Sequence, residues 1–330
     1  MGIWTHSRPW PQGCANGSRG ARGGSPRRGS VGPARSEADL AHGRFTIIDL
    51  DALWNYDDPA ATEAAFRALI PDAERAGGTP WLELLTQLAR TLSLQRRFDE
   101  AHALLDRVEA QLAADMPRVR VRYLLERGRC FNSAGQREQA RPLFLEAWEL
   151  GQAAGEEALA VDAAHMMGLI ESGEPSLRWN ERAIAAAEGS RDPRARNWLG
   201  SLNNNIGWTY HDMARYEEAL DRFRHALAYR EAQGAVGGIR IARWCVARCL
   251  RSLQRIEEAL AIQRALLAER EADASPDGFV FEEIGECLLA LGRRDEARPF
   301  CARAHAELSK VGGIAPERLS RLGAIGSASS

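Results

Sequence analysis

The sequence predicts an all-α fold, a solenoid of about six helical hairpins with a capping helix or hairpin at each end. Two rulers and one stretch predict it. Alanine recurs inside short acidic runs, as Ala101 in FDEA, Ala140 in REQA, Ala219 in YEEA, Ala259 in IEEA and Ala297 in RDEA, at steps of 39, 79, 40 and 38 residues. A small residue recurs upstream of them, as Ala89, Gly128, Gly168, Gly207, Ala247 and Gly285, at steps of 39, 40, 39, 40 and 38. The stretch Ser201–Gly234 shows what one period contains. Its apolar and small residues fall at helical spacing in two blocks, Leu202–Ile206–Gly207–Tyr210 and Tyr216–Ala219–Phe223–Ala226, parted by a polar turn at His211 to Arg215. Gly207 and Ala219 are small where two helices cross closely, and Tyr210 and Phe223 fill the gap beside them.

Taken in order, residues 1–36 are dominated by Gly, Ser, Arg and Pro without acids or periodicity. Such a segment cannot bury a core, and disorder is expected there. Arg27-Arg28 has no apolar run after it, so an export signal is rejected. Residues 37–80 are expected to form a degenerate first repeat or an N-terminal cap. In it Asp58 caps a helix and Pro59 takes the first helical position. Residues 81–311 hold the array, with repeats beginning near 82, 121, 161, 200, 240 and 278. The 79-residue step marks a damaged repeat through Gly168. Matching Ala183 to Ala226 removes about four residues at its turn, Gly173-Glu174-Pro175. Residues 312–330 are read as a short capping helix and a frayed tail.

Composition narrows the chemistry. With 45% hydrophobic and 27% charged residues the chain is globular, and a net charge of −2 gives no global field towards nucleic acid or membrane. No apolar run reaches the roughly 20 residues of a membrane span. Six cysteines without a C-x-x-C pair read as small core residues in a reducing cytoplasm. There is no phosphate loop, no nucleophile elbow and no zinc-protease motif. No enzyme activity, cofactor or metal is therefore expected. Glu217-Glu218 and Glu257-Glu258 begin second helices, where they favour the positive end of the helix dipole.

The offsets of Gly207, Tyr210, Ala219, Phe223 and Ala226 closely resemble the tetratricopeptide repeat. The period exceeds that repeat's usual length by about five residues. Together with LNNNIG, YEEAL and ALxxRE, it resembles the long-period subclass of kinesin light chains and many bacterial arrays. The resemblance implies a right-handed superhelix whose first helices line a concave groove. Groove offsets then fall on Thr86, Arg90 and Ser93; Leu125, Arg129 and Asn132; His165, Leu169 and Ser172; Asn204, Trp208 and His211; Trp244, Arg248 and Arg251; and Glu282, Glu286 and Leu289. Arginine forks suit carboxylates and indoles serve as anchors. Asn204 stands where such proteins often hold a peptide backbone. The implied function is a non-enzymatic scaffold that binds a protein or peptide segment carrying acids or a free carboxylate. The alternative is a signal- or peptide-responsive regulator. Nucleic-acid binding rests only on the Arg-Gly steps of the tail and is not expected. A plainer role stays open for the same residues, with Arg248 pairing Glu282 or Glu286 and the two indoles packed between helices.

Overall fold

The computed structural model describes residues 50–56 and 58–327, so the tail expected over residues 1–36 lies outside the described residues. Every regular element among the described residues is helical. They fall into two compact units, one ending at Trp198 and one beginning at Leu199.

The N-terminal unit opens with a 3-10 turn, Leu50–Leu53, followed by α1 (Pro59–Ala68) and α2 (Ile70–Ala76). Asp58 caps α1 by accepting from the Ala61 amide at 2.9 Å, and Pro59 occupies its first turn, where a missing N–H costs nothing. Three hairpins follow: α3 (Gly78–Leu94) with α4 (Phe98–Glu109), α5 (Pro117–Ser133) with α6 (Arg137–Ala153), and α7 (Glu157–Ile170) with α8 (Gly173–Gly189). A single turn, α9 (Pro193–Arg196), ends the unit.

The C-terminal unit stacks α10 (Leu199–Asp212) with α11 (Tyr216–Gln233), α12 (Val236–Ser252) with α13 (Ile256–Ala272), and α14 (Gly278–Ala290) with α15 (Arg294–Leu308). The last helix is α16 (Pro316–Ser327), whose Leu322 is fully buried against α15. Gly323 lies against the His305 ring, 38 residues after Gly285. Thus α16 stands where the first helix of a further repeat would stand.

One turn joins five of the six hairpins. The amides of Arg97, Gln136, Arg215, Arg255 and Arg293 reach back to the carbonyls of Leu92, Phe131, Tyr210, Leu250 and Leu288 at 2.8–2.9 Å. This six-to-one bond ends the first helix with its preceding residue left-handed. That residue is glycine at Gly135 (φ 83°) and Gly292 (φ 73°), but Arg96, Ala214 and Gln254 hold φ near 60° (62°, 59° and 61°). A non-glycine residue there costs roughly 1–2 kcal/mol. Four second helices begin with an arginine that bonds the glutamate three residues on: Arg97–Glu100, Arg215–Glu218, Arg255–Glu258 and Arg293–Glu296. The expected polar turn is shorter than read, because His211 and Asp212 still belong to α10.

The rulers mark the hairpin cores. Ala89, Ala101, Ala140, Ala219, Ala226, Ala259 and Ala297 are all buried. A β-carbon on Gly128 would lie 2.5 Å from the Phe144 ring, and one on Gly207 would lie 2.6 Å from the Phe223 ring. Those glycines are required because a phenyl ring already fills the space. At Gly285 the facing atom is the Cys301 sulfur, 2.8 Å from a built β-carbon. At Gly168 the neighbour is the Asn180 carboxamide, twelve residues on rather than sixteen. The damaged repeat therefore lacks four residues at its turn. By the sixteen-residue spacing, Gln263 faces Ala247, is fully buried, and leaves both amide atoms without hydrogen bonds. Two hairpins thus hold a carboxamide where two others hold an aromatic ring, and they give up apolar packing there.

A candidate binding face on the first helices

In each unit the residues at the groove offsets are carried by first helices, so one helix turn spaces them along the chain and stacking spaces them across it. Their chemistry differs between the units.

In the N-terminal unit the face is an ion network. Arg90 on α3 pairs with Glu126 on α5 at 3.3 Å. Arg129 binds Glu126 at 2.6 Å and also both oxygens of Asp162 on α7, at 2.5 Å. All four side chains are at most 15% exposed. Thr86 and Leu125, expected to line the groove, are buried within the helix packing, and the Thr86 hydroxyl donates to the Glu83 carbonyl. Asn132 is half-buried at the end of α5, Ser93 is buried, and Leu169 is exposed.

His165 is buried beside this network, 4.9 Å from the Trp198 ring. Burial pushes its imidazole down to about 4; the Asp162 carboxylate opposes this, and Arg129 and Arg90 reinforce it. Burial alone would raise Asp162, but Arg129 and Arg90 hold its carboxyl below the usual carboxylate range. Between about pH 6.5 and 4 the unfolded chain protonates this histidine and the folded chain does not. Its contribution is therefore fully present above the unfolded pKa and is lost as pH falls through that window. The loss is roughly 3 kcal/mol. Wild type should lose more thermal stability between pH 7.5 and 4.5 than His165→Gln; parallel curves would show that His165 is not held neutral.

In the C-terminal unit the face is aromatic and amide-bearing. Trp208 packs on Phe223 at 5.0 Å between ring centres, on His211 at 5.2 Å and on Trp244 at 6.2 Å. The Trp244 indole N–H donates to the Phe279 carbonyl at 3.2 Å. Both indoles are half-buried, each with one part packed and one part open. The His211 Nε2 lies 2.9 Å from the Ser252 hydroxyl, which also accepts from Arg248 at 2.6 Å. Arg251 makes a two-bonded fork on Glu283, at 2.8 and 2.9 Å, and Arg248 meets the same carboxylate at 3.3 Å. Arg248 does pair with the next repeat, through Glu283 rather than Glu282 or Glu286. Those two acids are taken by Arg318 and Arg321 of α16. Tyr210 is half-buried, with the Arg215 guanidinium 4.4 Å from its ring centre.

Asn204 is the exception on this face. It is 8% exposed, yet its carboxamide has no hydrogen-bond partner among the described residues. Its amide atoms are not closed off from water as those of Gln263 are, so its donors and acceptor remain open to solvent at the edge of this face.

The acids that neutralise the arginines were not singled out in the sequence. Their signal is present in it: Glu126 follows Arg90 by 36 residues and Glu283 follows Arg248 by 35, both two positions before a ruler glycine. Among the described residues no cluster could hold a metal ion, and no helix is long and apolar enough to cross a membrane. The five described cysteines are buried thiols.

Two segments, 81–108 and 204–232, match the family model described as tetratricopeptide repeat. No curated protein matches the chain. Aspartyl phosphate phosphatase F from Bacillus subtilis is similar in fold, at 15% identity over 91% of this chain and 81% of its own, with a TM-score of 0.56. A signal-transduction ATPase with a tetratricopeptide-repeat sensor from Pyrococcus horikoshii gives 13% identity over 82% of this chain and 44% of its own, with a TM-score of 0.61. Kinesin light chain repeats from Podosopora anserina give 15% identity over 70% and 96%, with a TM-score of 0.33.

Proposed function

We propose that this tetratricopeptide-repeat chain is a non-enzymatic interaction protein that holds a peptide segment against the first-helix face of its C-terminal unit. The observation that carries the reading is Asn204, a nearly buried carboxamide without a partner among the described residues. A carboxamide offers one acceptor and two donors, which match the N–H and C=O of an extended backbone. Four residues on, Trp208 and then Trp244 offer flat apolar contact for a bulky side chain. Arg248 and Arg251 converge on the single Glu283 carboxylate, so an acidic ligand group would find two guanidiniums there. The expected ligand is an extended segment with one bulky apolar residue and a nearby acid or free carboxylate. Buried thiols suit a reducing compartment, so we place the protein in the cytoplasm.

Asn204→Ala separates binding from folding. It removes a group that makes no hydrogen bond to the described protein, so the melting temperature should stay level or rise. Peptides selected by display against the full chain should bind this variant at least about tenfold more weakly, the loss of one to two buried hydrogen bonds. Trp208→Ala should weaken them without changing the salt dependence. Arg248→Glu is a less clean test, since it sets a second acid beside Glu283 and lowers stability as well. Selected peptides that bind Asn204→Ala and Trp208→Ala as tightly as wild type would overturn the proposal.

A further inference from the structure

The first-helix face of the N-terminal unit is already covered, and what covers it is the chain itself. The described residues open with the 3-10 turn Leu50–Leu53 and a non-helical run to Tyr56. That run crosses successive first helices. The Trp54 indole N–H donates to Gln87 on α3 at 2.9 Å. Trp54 and Tyr56 stack at 4.7 Å with their planes 5° apart, and the Arg90 guanidinium lies 5.4 Å from each ring centre. Asp51 reaches Arg122 on α5 at 3.5 Å. The Tyr56 hydroxyl sits in the field of Arg90, Arg129, Glu126 and Asp162, the last of these on α7.

The run is held as a ligand is held rather than as a core element. None of residues 50–56 is buried: Asp51, Ala52, Leu53 and Asn55 are exposed, and Trp54 and Tyr56 are half-buried. Its ion pair is long, and Asp51 is 48% exposed, so that pair adds little. The Trp54 ring also meets the buried Phe66 of α1 edge-on at 5.4 Å between ring centres. The run's end is tied to α1, where the Asn55 amide donates to the Thr62 hydroxyl at 3.0 Å and that hydroxyl donates back to the Asn55 carbonyl at 3.1 Å.

We propose that residues 50–56 form a releasable strap, an internal ligand on the N-terminal unit's first-helix face, and that a partner segment with an acid followed by two aromatic rings binds this face by displacing it. The partner chemistry is read from the strap itself: a carboxylate for Arg122, an indole N–H for Gln87 and stacked rings for Arg90. The proposal concerns a different unit from the Asn204 site and does not depend on it.

The probe is a fluorescent synthetic peptide spanning residues 50–56, titrated against the full-length chain. Wild type, with the strap seated, should bind it weakly. Trp54→Ala/Tyr56→Ala, with the strap weakened, should bind it at least tenfold more tightly, and adding Gln87→Ala and Arg90→Ala should remove that gain. Equal affinity for wild type and the strap variant, absence of binding to both, or a gain that survives Gln87→Ala and Arg90→Ala would each overturn the proposal. Loss of the N-terminal unit's cooperative thermal transition in Trp54→Ala/Tyr56→Ala would overturn it too, because the segment would then be part of the fold.

Discussion

Glu126→Ala should destabilise the N-terminal unit by about 3–5 kcal/mol, the range for removing one partner of a buried ion pair. Glu126 is 2% exposed and meets Arg90 at 3.3 Å and Arg129 at 2.6 Å. Alanine would leave both guanidiniums in a site shielded from water, with the Asp162 carboxylate bonded directly to Arg129 and acting on Arg90 from further off. Glu126→Gln should be milder, because it keeps an acceptor and the shape. Chemical denaturation followed by circular dichroism would report the change. A midpoint unmoved by Glu126→Ala would show that water reaches these arginines freely. Glu283 holds the same station relative to Gly285 and is 4% exposed, so the pairing recurs in the C-terminal unit.

Gly207→Leu is the second large effect. A β-carbon there would already lie 2.6 Å from the Phe223 ring, and the ring is fully buried. The leucine would have to push α10 away from α11. Overpacking of this kind costs typically about 1–3 kcal/mol, and more where the neighbour cannot move. We expect about 3 kcal/mol, a larger loss than any substitution confined to the Asn204 face. An unaltered unfolding midpoint would place Gly207 outside the hairpin contact.

The hairpins were legible in the sequence because a hairpin is a local object. Gly128 and Gly207 announce the crossings, and Phe144 and Phe223 follow sixteen residues later at the same helical offset. Even the damaged repeat could be read, since Gly168 kept its station while Asn180 arrived four residues early. What pairs with what across hairpins was harder to read. Arg90, Arg129 and Arg248 looked alike at one offset, yet their partners lie 33 to 36 residues on, in the next first helix. A one-dimensional pattern shows the arginine and hides whether an acid meets it. The strap was hidden for the opposite reason. Trp54 and Tyr56 have no helical period, and only the folded chain shows their rings over Arg90. Asn204 was singled out by resemblance, and the folded chain shows it 8% exposed, its side chain with no hydrogen bond among the described residues.

The central claim is that a peptide lies on the first-helix face of the C-terminal unit. A photo-reactive phenylalanine analogue placed at Trp208, which keeps a ring there and leaves Asn204 in place, and in a separate variant at the exposed Arg224 on α11, tests it with a display-selected peptide. A covalent adduct is expected from position 208 and none from position 224. An adduct from position 224 with none from position 208 would contradict the claim and move the binding surface to the second helices.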